Sequence, residues 1–501
     1  MSTEDVQQYV SYVKQDNIKN SVFTTKEILM SVAELRYAGL EAPDALERRV
    51  NLIIKDMQLE KCEDTMFGDH DHKGLSGGEK KRVCIAAKLL IDSPILLLDE
   101  PTSGLDSNTS FIIISFLKKY AFKNNKIVLM TIHQPSSNIF NLFDKLIVLD
   151  HGQHVYHGKG GTHLIEYFKD RGFSLKDNYN PADSFMRILE ENNRDKHGKF
   201  FFVDAYKDYG EKTTNKEISR LFCDNSKIID PVEIYSSFKT AFKVLLRDQF
   251  KSVIRNPQVL KVKFLNVLYF IFITGSVFYK LENTEEGNRG KFGFIIFFTI
   301  NNFIQQINNI VLTHPKERVL LIEDYEHNLY GVVPYSVSRQ VVDTSIALII
   351  TVLYCCLIYY LIGFKETADN FFVFLGIYLA FNFLVQSLAI TFTCFIKTTD
   401  AGLRIISLGM VVVYIFSGLI VTPKNIPEWL RWFRFLNPVF YCNQAISINE
   451  FEGRVYEGIN FYLEIKENLE IWHCAMYFIF IGLVLRVLNF IGLYLVVKKY
   501  L

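Results

Sequence analysis

Leu75-Ser76-Gly77-Gly78-Glu79-Lys80-Lys81-Arg82 is followed by the apolar run Val83 to Leu90, then by Ile95-Leu96-Leu97-Leu98-Asp99-Glu100 and Pro101-Thr102-Ser103-Gly104-Leu105-Asp106. Two glycines after a serine let backbone N–H groups approach a phosphate closely, and the run behind them predicts a helix whose N-terminus favours an anion there. The Ser76 hydroxyl can add a donor. Ile95 to Leu98, bounded by Pro94, predicts a strand buried on both faces, so Asp99 and Glu100 emerge at its carboxyl end, where open α/β sheets bind ligands.

Taken singly these pieces have plain alternatives: a Ser-Gly-Gly loop, and a solvated Asp-Glu strand end. Their order and short spacing, with Thr131-Ile132-His133-Gln134-Pro135 after another apolar strand over Lys126 to Met130, argue for one site. L-S-G-G-E, the apolar strand ending in Asp-Glu, and the later histidine together resemble the signature motif, Walker B motif and H-loop of ATP-binding-cassette (ABC) ATPases.

The 501 residues suffice for two or three domains, and 49% hydrophobic residues with a mean hydropathy of +0.13 imply that part of the chain lies in lipid. A formal charge of +1 lacks the basic footprint of a nucleic-acid binder. The 8 cysteines are scattered without metal spacing and are expected as packing residues rather than as a disulfide framework. Met1 to Asp5 lack a basic region with an apolar core, so no cleaved signal peptide is expected.

In chain order, Val6 to Val13 predicts a strand leading into Lys14-Gln15-Asp16-Asn17, which resembles the Q-loop of the same ATPases; the alternative for Gln15 is a surface loop. Ser21 to Tyr37 and Leu46 to Met57 carry helical periodicity. Asp69-His70-Asp71-His72, between Gly68 and Gly74, is a candidate metal cluster whose alternative is a solvated loop. Lys145 to Gly158 predicts a closing hairpin, and the charged run Glu190 to Lys199 predicts a linker. Asn180-Pro181-Ala182-Asp183 resembles the G subfamily of ABC transporters, the White and pleiotropic-drug-resistance type, in which the nucleotide domain precedes the membrane domain. The expected organisation is a partial ABC nucleotide-binding domain over residues 1–190, a linker over 191–234 and a transmembrane domain over 235–501.

From Tyr235, apolar Phe238, Phe242, Leu245, Leu246, Phe250 and Val253 alternate with basic residues at helical spacing, predicting an amphipathic helix on the membrane surface or packed on a cytosolic domain. Apolar runs near 264–279, 292–312, 341–364, 371–396, 403–421 and 472–497 predict about six spans. The basic residues flanking them, Lys261, Lys263, Lys316, Arg318, Lys397, Arg404, Lys498 and Lys499, fall on one side, which places both termini in the cytosol. In the second span, Asn301, Asn302, Gln305, Gln306, Asn308 and Asn309 share an arc of roughly 160°. They are expected to line a substrate path or to join helices across a dimer. Residues 422–471, with Ile426 to Trp432, Asn437 to Tyr441 and Asn449-Glu450-Phe451, resemble the re-entrant helix and external cap of the G subfamily. His314 to Tyr330 resembles its coupling helix, a place where a solvated connector is the alternative.

The fold implied is an α/β nucleotide-binding domain followed by an all-α membrane domain, and the resemblance assigns the roles. ATP lies between the phosphate loop of one half-transporter and the Ser76, Gly77 and Gly78 of a second, identical or not. Asp99 and Gln15 hold Mg2+, Glu100 is the general base, His133 meets the γ-phosphate, and Asp106 belongs to the nucleotide-binding set. One departure stands out. G-x-x-x-x-G-K-[ST] is absent, because Gly158-Lys159, Gly198-Lys199 and Gly290-Lys291 are followed by Gly160, Phe200 and Phe292, so the first part of the nucleotide domain is expected to be missing. Three functions remain open: an ATP-driven exporter or lipid mover, a silent half that donates its signature motif to a complete partner, and a membrane scaffold with a relic ATPase domain.

Overall fold

The computed structural model describes residues 9–15, 20–69, 73–173, 180–194, 202–204, 206–207, 236–417, 426–452 and 469–500. They form two compact units, Met1–Ser236 with His327–Leu329, and Ser237–Glu326 with Tyr330–Leu501.

In the first unit β1 (Val10–Val13), β2 (Ile95–Leu98) and β3 (Ile127–Met130) make a parallel sheet in that order, with Val13 opposite Leu98 and Leu98 opposite Met130. Three carboxyl ends therefore meet at one edge. The β2 strand is fully buried on one face only: Leu96 and Leu98 are covered, while Ile127 and Leu129 of β3 stand 54% and 53% exposed. Burial of both faces, expected from the apolar run, is thus not what these residues show. Helix α3 (Gly77–Ile91) packs on β1, and α1 (Thr25–Tyr37) and α2 (Pro43–Asp56) pack on α3 and on each other.

Local chemistry sets the helix starts. Thr24 and Glu27 form a reciprocal capping box, so α1 begins at Thr25 rather than near Ser21. Pro43 occupies the first turn of α2, where its missing N–H costs nothing, so that helix starts before Leu46. After α4 (Ser107–Asn124) and the short α5 (Ser137–Phe140), β4 (Lys145–Asp150) and β5 (Gln153–Lys159) form the expected antiparallel hairpin. It is buried against α6 (Thr162–Lys169) and α7 (Pro181–Arg194), with Phe168 and Phe185 stacked 4.8 Å apart. The charged run expected as a linker is therefore helical as far as Arg194, because α7 carries it.

The second unit comprises α8 (Phe238–Ile254), α9 (Pro257–Val277), α10 (Glu285–Glu326), α11 (Val332–Ile362), α12 (Ala368–Thr393), α13 (Thr399–Ile415), α14 (Pro438–Phe451) and α15 (Ile471–Tyr500). The amphipathic α8 buries Ala241, Val244 and Leu245 and packs on α11. Among the described residues five helices, α9 to α12 and α15, are long and apolar enough to cross a membrane. The remaining expected span coincides with α13, which has 17 residues, and residues 418–425 lie outside the described set.

The second span does not end in a separate loop. Helix α10 runs 42 residues straight through Pro315, although an interior proline costs about 3 kcal/mol. Contacts beyond the proline hold it. Arg318 donates to the carbonyls of Cys394 and Ile396 at 2.7 Å, beside the end of α12, and Glu317 pairs with Arg339 of α11 at 3.0 Å. Within the same helix Phe303, Ile307, Ile310 and Val311 are buried in the bundle core, whereas of the amide arc only Asn302 is fully buried. Lys291 and Glu450 form an enclosed ion pair at 3.4 Å, 1% and 2% exposed.

Candidate functional site

The carboxyl edge of the sheet gathers the residues that the motifs single out. Asp99 follows β2, and its N–H donates to Val13 O at 2.9 Å. Its carboxylate accepts from Thr131 Oγ1 at 2.7 Å and from the Tyr12 hydroxyl at 3.2 Å. Desolvation, and then the bond to Asp99, push the Tyr12 hydroxyl pKa up, so it remains a donor at neutral pH. Glu100 sits at φ 43°, a left-handed conformation that costs a non-glycine residue about 1–2 kcal/mol. Its N–H is held by Thr131 Oγ1 at 2.9 Å, and its carboxylate accepts from Gln15 Nε2 at 3.0 Å. Thr131 thus fixes both acidic residues from the neighbouring strand.

Behind this edge Lys81 is 8% exposed, and its ammonium donates to the carbonyls of Lys14 and Gln15 at 3.1 Å and of Asp99 at 3.3 Å. One cation from α3 thereby ties together the ends of β1 and β2. Glu100, Ser103, Leu105, His133 and Gln134 line a cleft of about 310 Å³. Gln134, like Glu100, is strained, with φ 47°. The carboxamide of Asn180, at the start of α7, donates to Pro135 O at 2.8 Å and so anchors the stretch that follows His133.

The signature turn is capped internally. Ser76 Oγ donates to Glu79 Oε2 at 2.7 Å, Ser76 N–H donates to the same oxygen at 2.8 Å, and Glu79 N–H returns to Ser76 Oγ at 3.4 Å. These bonds hold the Glu79 carboxyl below its usual pKa. Gly77 has open space where a Cβ would stand, whereas one on Gly78 would come within 3.1 Å of Leu105. Asp106 caps α4, accepting from Asn108 N, Thr109 N and Thr109 Oγ1, and the Thr109 hydroxyl is the main cause of its lowered pKa.

Gln15, Asp99 and Glu100 thus converge, and His133 shares a cleft with Glu100. Ser76 and Asp106 serve as helix caps within this chain, set apart from that convergence. Two carboxylates and an amide whose oxygen remains available form a hard-oxygen donor set of the kind Mg2+ takes. Tyr12, Lys81 and Thr131 were not singled out by sequence; Thr131 opens the His133 stretch and Lys81 sits in the signature run, and only the strand register reveals their partners. Of the candidate metal cluster, His70, Asp71 and His72 lie outside the described residues.

Comparison with known proteins gives three family matches: ABC transporter over residues 1–103, and ABC-2 type transporter over 240–451 and, by a second such model, over 133–205. The chain is 28% identical over 474 residues, 89% of its length, to 72% of the broad substrate specificity ATP-binding cassette transporter ABCG2 of Mus musculus. It is 27% identical over 463 residues, 90% of its length, to 67% of protein white of Ceratitis capitata. It is 26% identical over 461 residues, 88% of its length, to 62% of ABC transporter G family member 20 of Arabidopsis thaliana.

Proposed function

The chain belongs to the ABC transporters of the G type, as a half-transporter with an ATPase unit followed by a multi-pass membrane unit, and from that premise we propose how its residues act. Hydrolysis of ATP drives transport. Glu100 is the general base, accepting a proton from the water that attacks the γ-phosphate, and Gln15 holds its carboxylate in place. Asp99, fixed by Tyr12 and Thr131, holds Mg2+ together with the Gln15 oxygen; when bound, the ion neutralises charge on the β- and γ-phosphates. His133 donates to the γ-phosphate across the cleft it shares with Glu100. Positioning is the main contribution of such groups to phosphoryl transfer, so the bonds that fix Asp99 and Glu100 matter beyond their own strength.

Two such halves pair. Gly77 and Gly78 offer their N–H groups, and Ser76 its hydroxyl once turned from Glu79, to the nucleotide of a second half-transporter, identical or not, and Asp106 holds the start of α4 beside that junction. The half-buried amides of α10, turned away from this chain's own core, face the second half or the transported molecule. The nucleotide unit and both termini lie in the cytosol, and the cargo is a lipid or an apolar small molecule. The observation that supports this reading most is the bond between the Gln15 amide and Glu100 at the cleft that also holds His133. Inside-out vesicles from cells expressing the chain with its partner half test it with a panel of amphipathic dyes and fluorescent lipids. ATP-dependent uptake of at least one probe, lost with Glu100→Gln, is expected; equal uptake by both proteins refutes the reading.

A further inference from the structure

A cavity of about 20 Å³ lies inside the membrane unit where α10, α11, α12 and α15 converge, lined among others by His314, Arg318, Tyr335, Gln340, Cys394 and Asn489. That is room for one species of water or halide size, since a single water needs roughly 10–15 Å³ by the same measure. Its walls are not alike. On the α11 and α15 side, Ser336 Oγ and Gln340 Nε2 donate to Asn489 Oδ1 at 3.0 and 3.2 Å, and Asn489 Nδ2 donates to Ile390 O at 3.3 Å. These groups satisfy one another and call for no guest. On the α10 side stands Arg318, 7% exposed. Its Nη1 and Nη2 are taken by the carbonyls of Thr393, Cys394 and Ile396 at 2.7 to 3.3 Å, but its Nε–H is buried with no partner. Tyr335 adds a hydroxyl that has no hydrogen-bond partner among the described residues.

The charge around the cavity is unbalanced in the same direction. Arg318 meets neutral carbonyls and, among the described residues, pairs with no carboxylate. Arg339 pairs with Glu317 at 3.0 Å and shares Asp343 with His314, their bonds to Oδ2 being 3.1 and 2.9 Å. Lys263 of α9 and Arg486 of α15 stand near enough to Asp343 to act on its charge, and Asp324, further along α10, acts on Tyr335. Arg318, Arg339, Lys263 and Arg486 thus outnumber Glu317, Asp343 and Asp324, before any proton on His314 is counted. In an interior shielded from water, such an excess destabilises the fold unless a counter-charge meets it, and a water molecule brings none.

We propose that this cavity binds a small monovalent anion of the halide class, chloride in a cell. A halide accepts hydrogen bonds and donates none, which suits the two donors left over, the Arg318 Nε–H and the Tyr335 O–H. The ion joins α10 and α11 beside the end of α12, where Arg318 already holds the Cys394 carbonyl, and against α15 at Asn489. It is a site apart from nucleotide and cargo, and its occupancy sets how firmly these four helices are held together.

Chloride itself is the probe. The full chain is purified in non-ionic detergent, exchanged into gluconate and titrated with chloride at constant ionic strength, while the linewidth of the chloride NMR signal and the thermal midpoint are followed. The expected result is a saturable excess linewidth that bromide removes, and a midpoint that rises with chloride but not with gluconate. Arg318→Gln should abolish both. Because Arg318 also holds the end of α12, Tyr335→Phe is measured beside it; that variant keeps the ring and should bind chloride about tenfold more weakly, the loss of one hydrogen bond to a charged group. Absence of saturable broadening in the parent leaves the cavity to water and overturns the proposal. Broadening of the parent's strength and affinity in Tyr335→Phe, or in a folded Arg318→Gln, places the chloride elsewhere and overturns it equally.

Discussion

Gln15 and Glu100, 85 residues apart in sequence, meet through a 3.0 Å bond from the Gln15 amide to the Glu100 carboxylate. Parallel pairing of β1 with β2 makes the meeting possible, because Val13 and Leu98 end abreast. The carboxylate proposed as the general base is thereby oriented by the Gln15 amide N–H, which leaves the amide oxygen for the proposed metal ion.

Lys81 is the internal tie of this edge. Lys81→Met leaves the carbonyls of Lys14, Gln15 and Asp99 without their charged donor, and such losses cost about 1–3 kcal/mol. A lower thermal midpoint together with a reduced ATPase rate is expected, and Lys81→Arg should restore part of both. Unfolding of the methionine variant at the parent's midpoint contradicts the assignment.

The Ser76 cap makes a separate demand. Ser76→Ala should lower stability by about 0.5–2 kcal/mol. Glu79 has a depressed folded pKa, so its contribution is fully present above the ordinary value of 4.5 and is lost as pH falls through the lowered folded value. Denaturation midpoints of parent and Glu79→Gln should therefore differ near neutral pH and converge in acid. A gap that persists unchanged into acid rules out the charged cap.

In the membrane unit, Lys291→Met leaves Glu450 buried without its cationic partner, a change that costs about 3–5 kcal/mol. Glu450 keeps its bond from the Lys365 N–H at 3.0 Å, so adding Glu450→Gln to the first substitution should recover part of the loss. Thermal aggregation in detergent reads both steps. A double variant less stable than the single one contradicts this account of the pair.

Much of this was legible in the sequence. The signature turn, the Asp99-Glu100 strand end, the hairpin and most of the spans announced themselves because glycine placement and apolar runs are local signals. Tertiary contacts decided the rest. Pro315 reads as a helix end, yet Arg318 and Glu317 find partners on other helices and carry α10 onward. The Ile95 to Leu98 run cannot say which face is covered. Tyr12 and Thr131 carry no motif, since their role exists only through the register of β1, β2 and β3. That Glu190 to Arg194, the start of the charged run, are helical follows from their place at the end of α7, which its aromatic packing around Phe168 and Phe185 holds.

The amide arc of α10 separates two roles. Asn302→Leu with Gln306→Leu should change the substrate profile if these residues line the path, and should weaken association if they join the halves. Cross-linking yield and transport, measured on the same vesicles, distinguish the two. Unchanged values of both contradict any role for the arc.

The most direct test of the account is steady-state ATP hydrolysis by a purified dimer that includes a phosphate loop, with and without Glu100→Gln in this chain, and with the site that this residue does not serve inactivated. Loss of the general base should lower the rate about 10²–10⁴-fold while nucleotide binding, followed with a fluorescent ATP analogue, is retained. Hydrolysis within a factor of about three of the parent, well short of that loss, would contradict the assignment of Glu100 and the catalytic reading built on it.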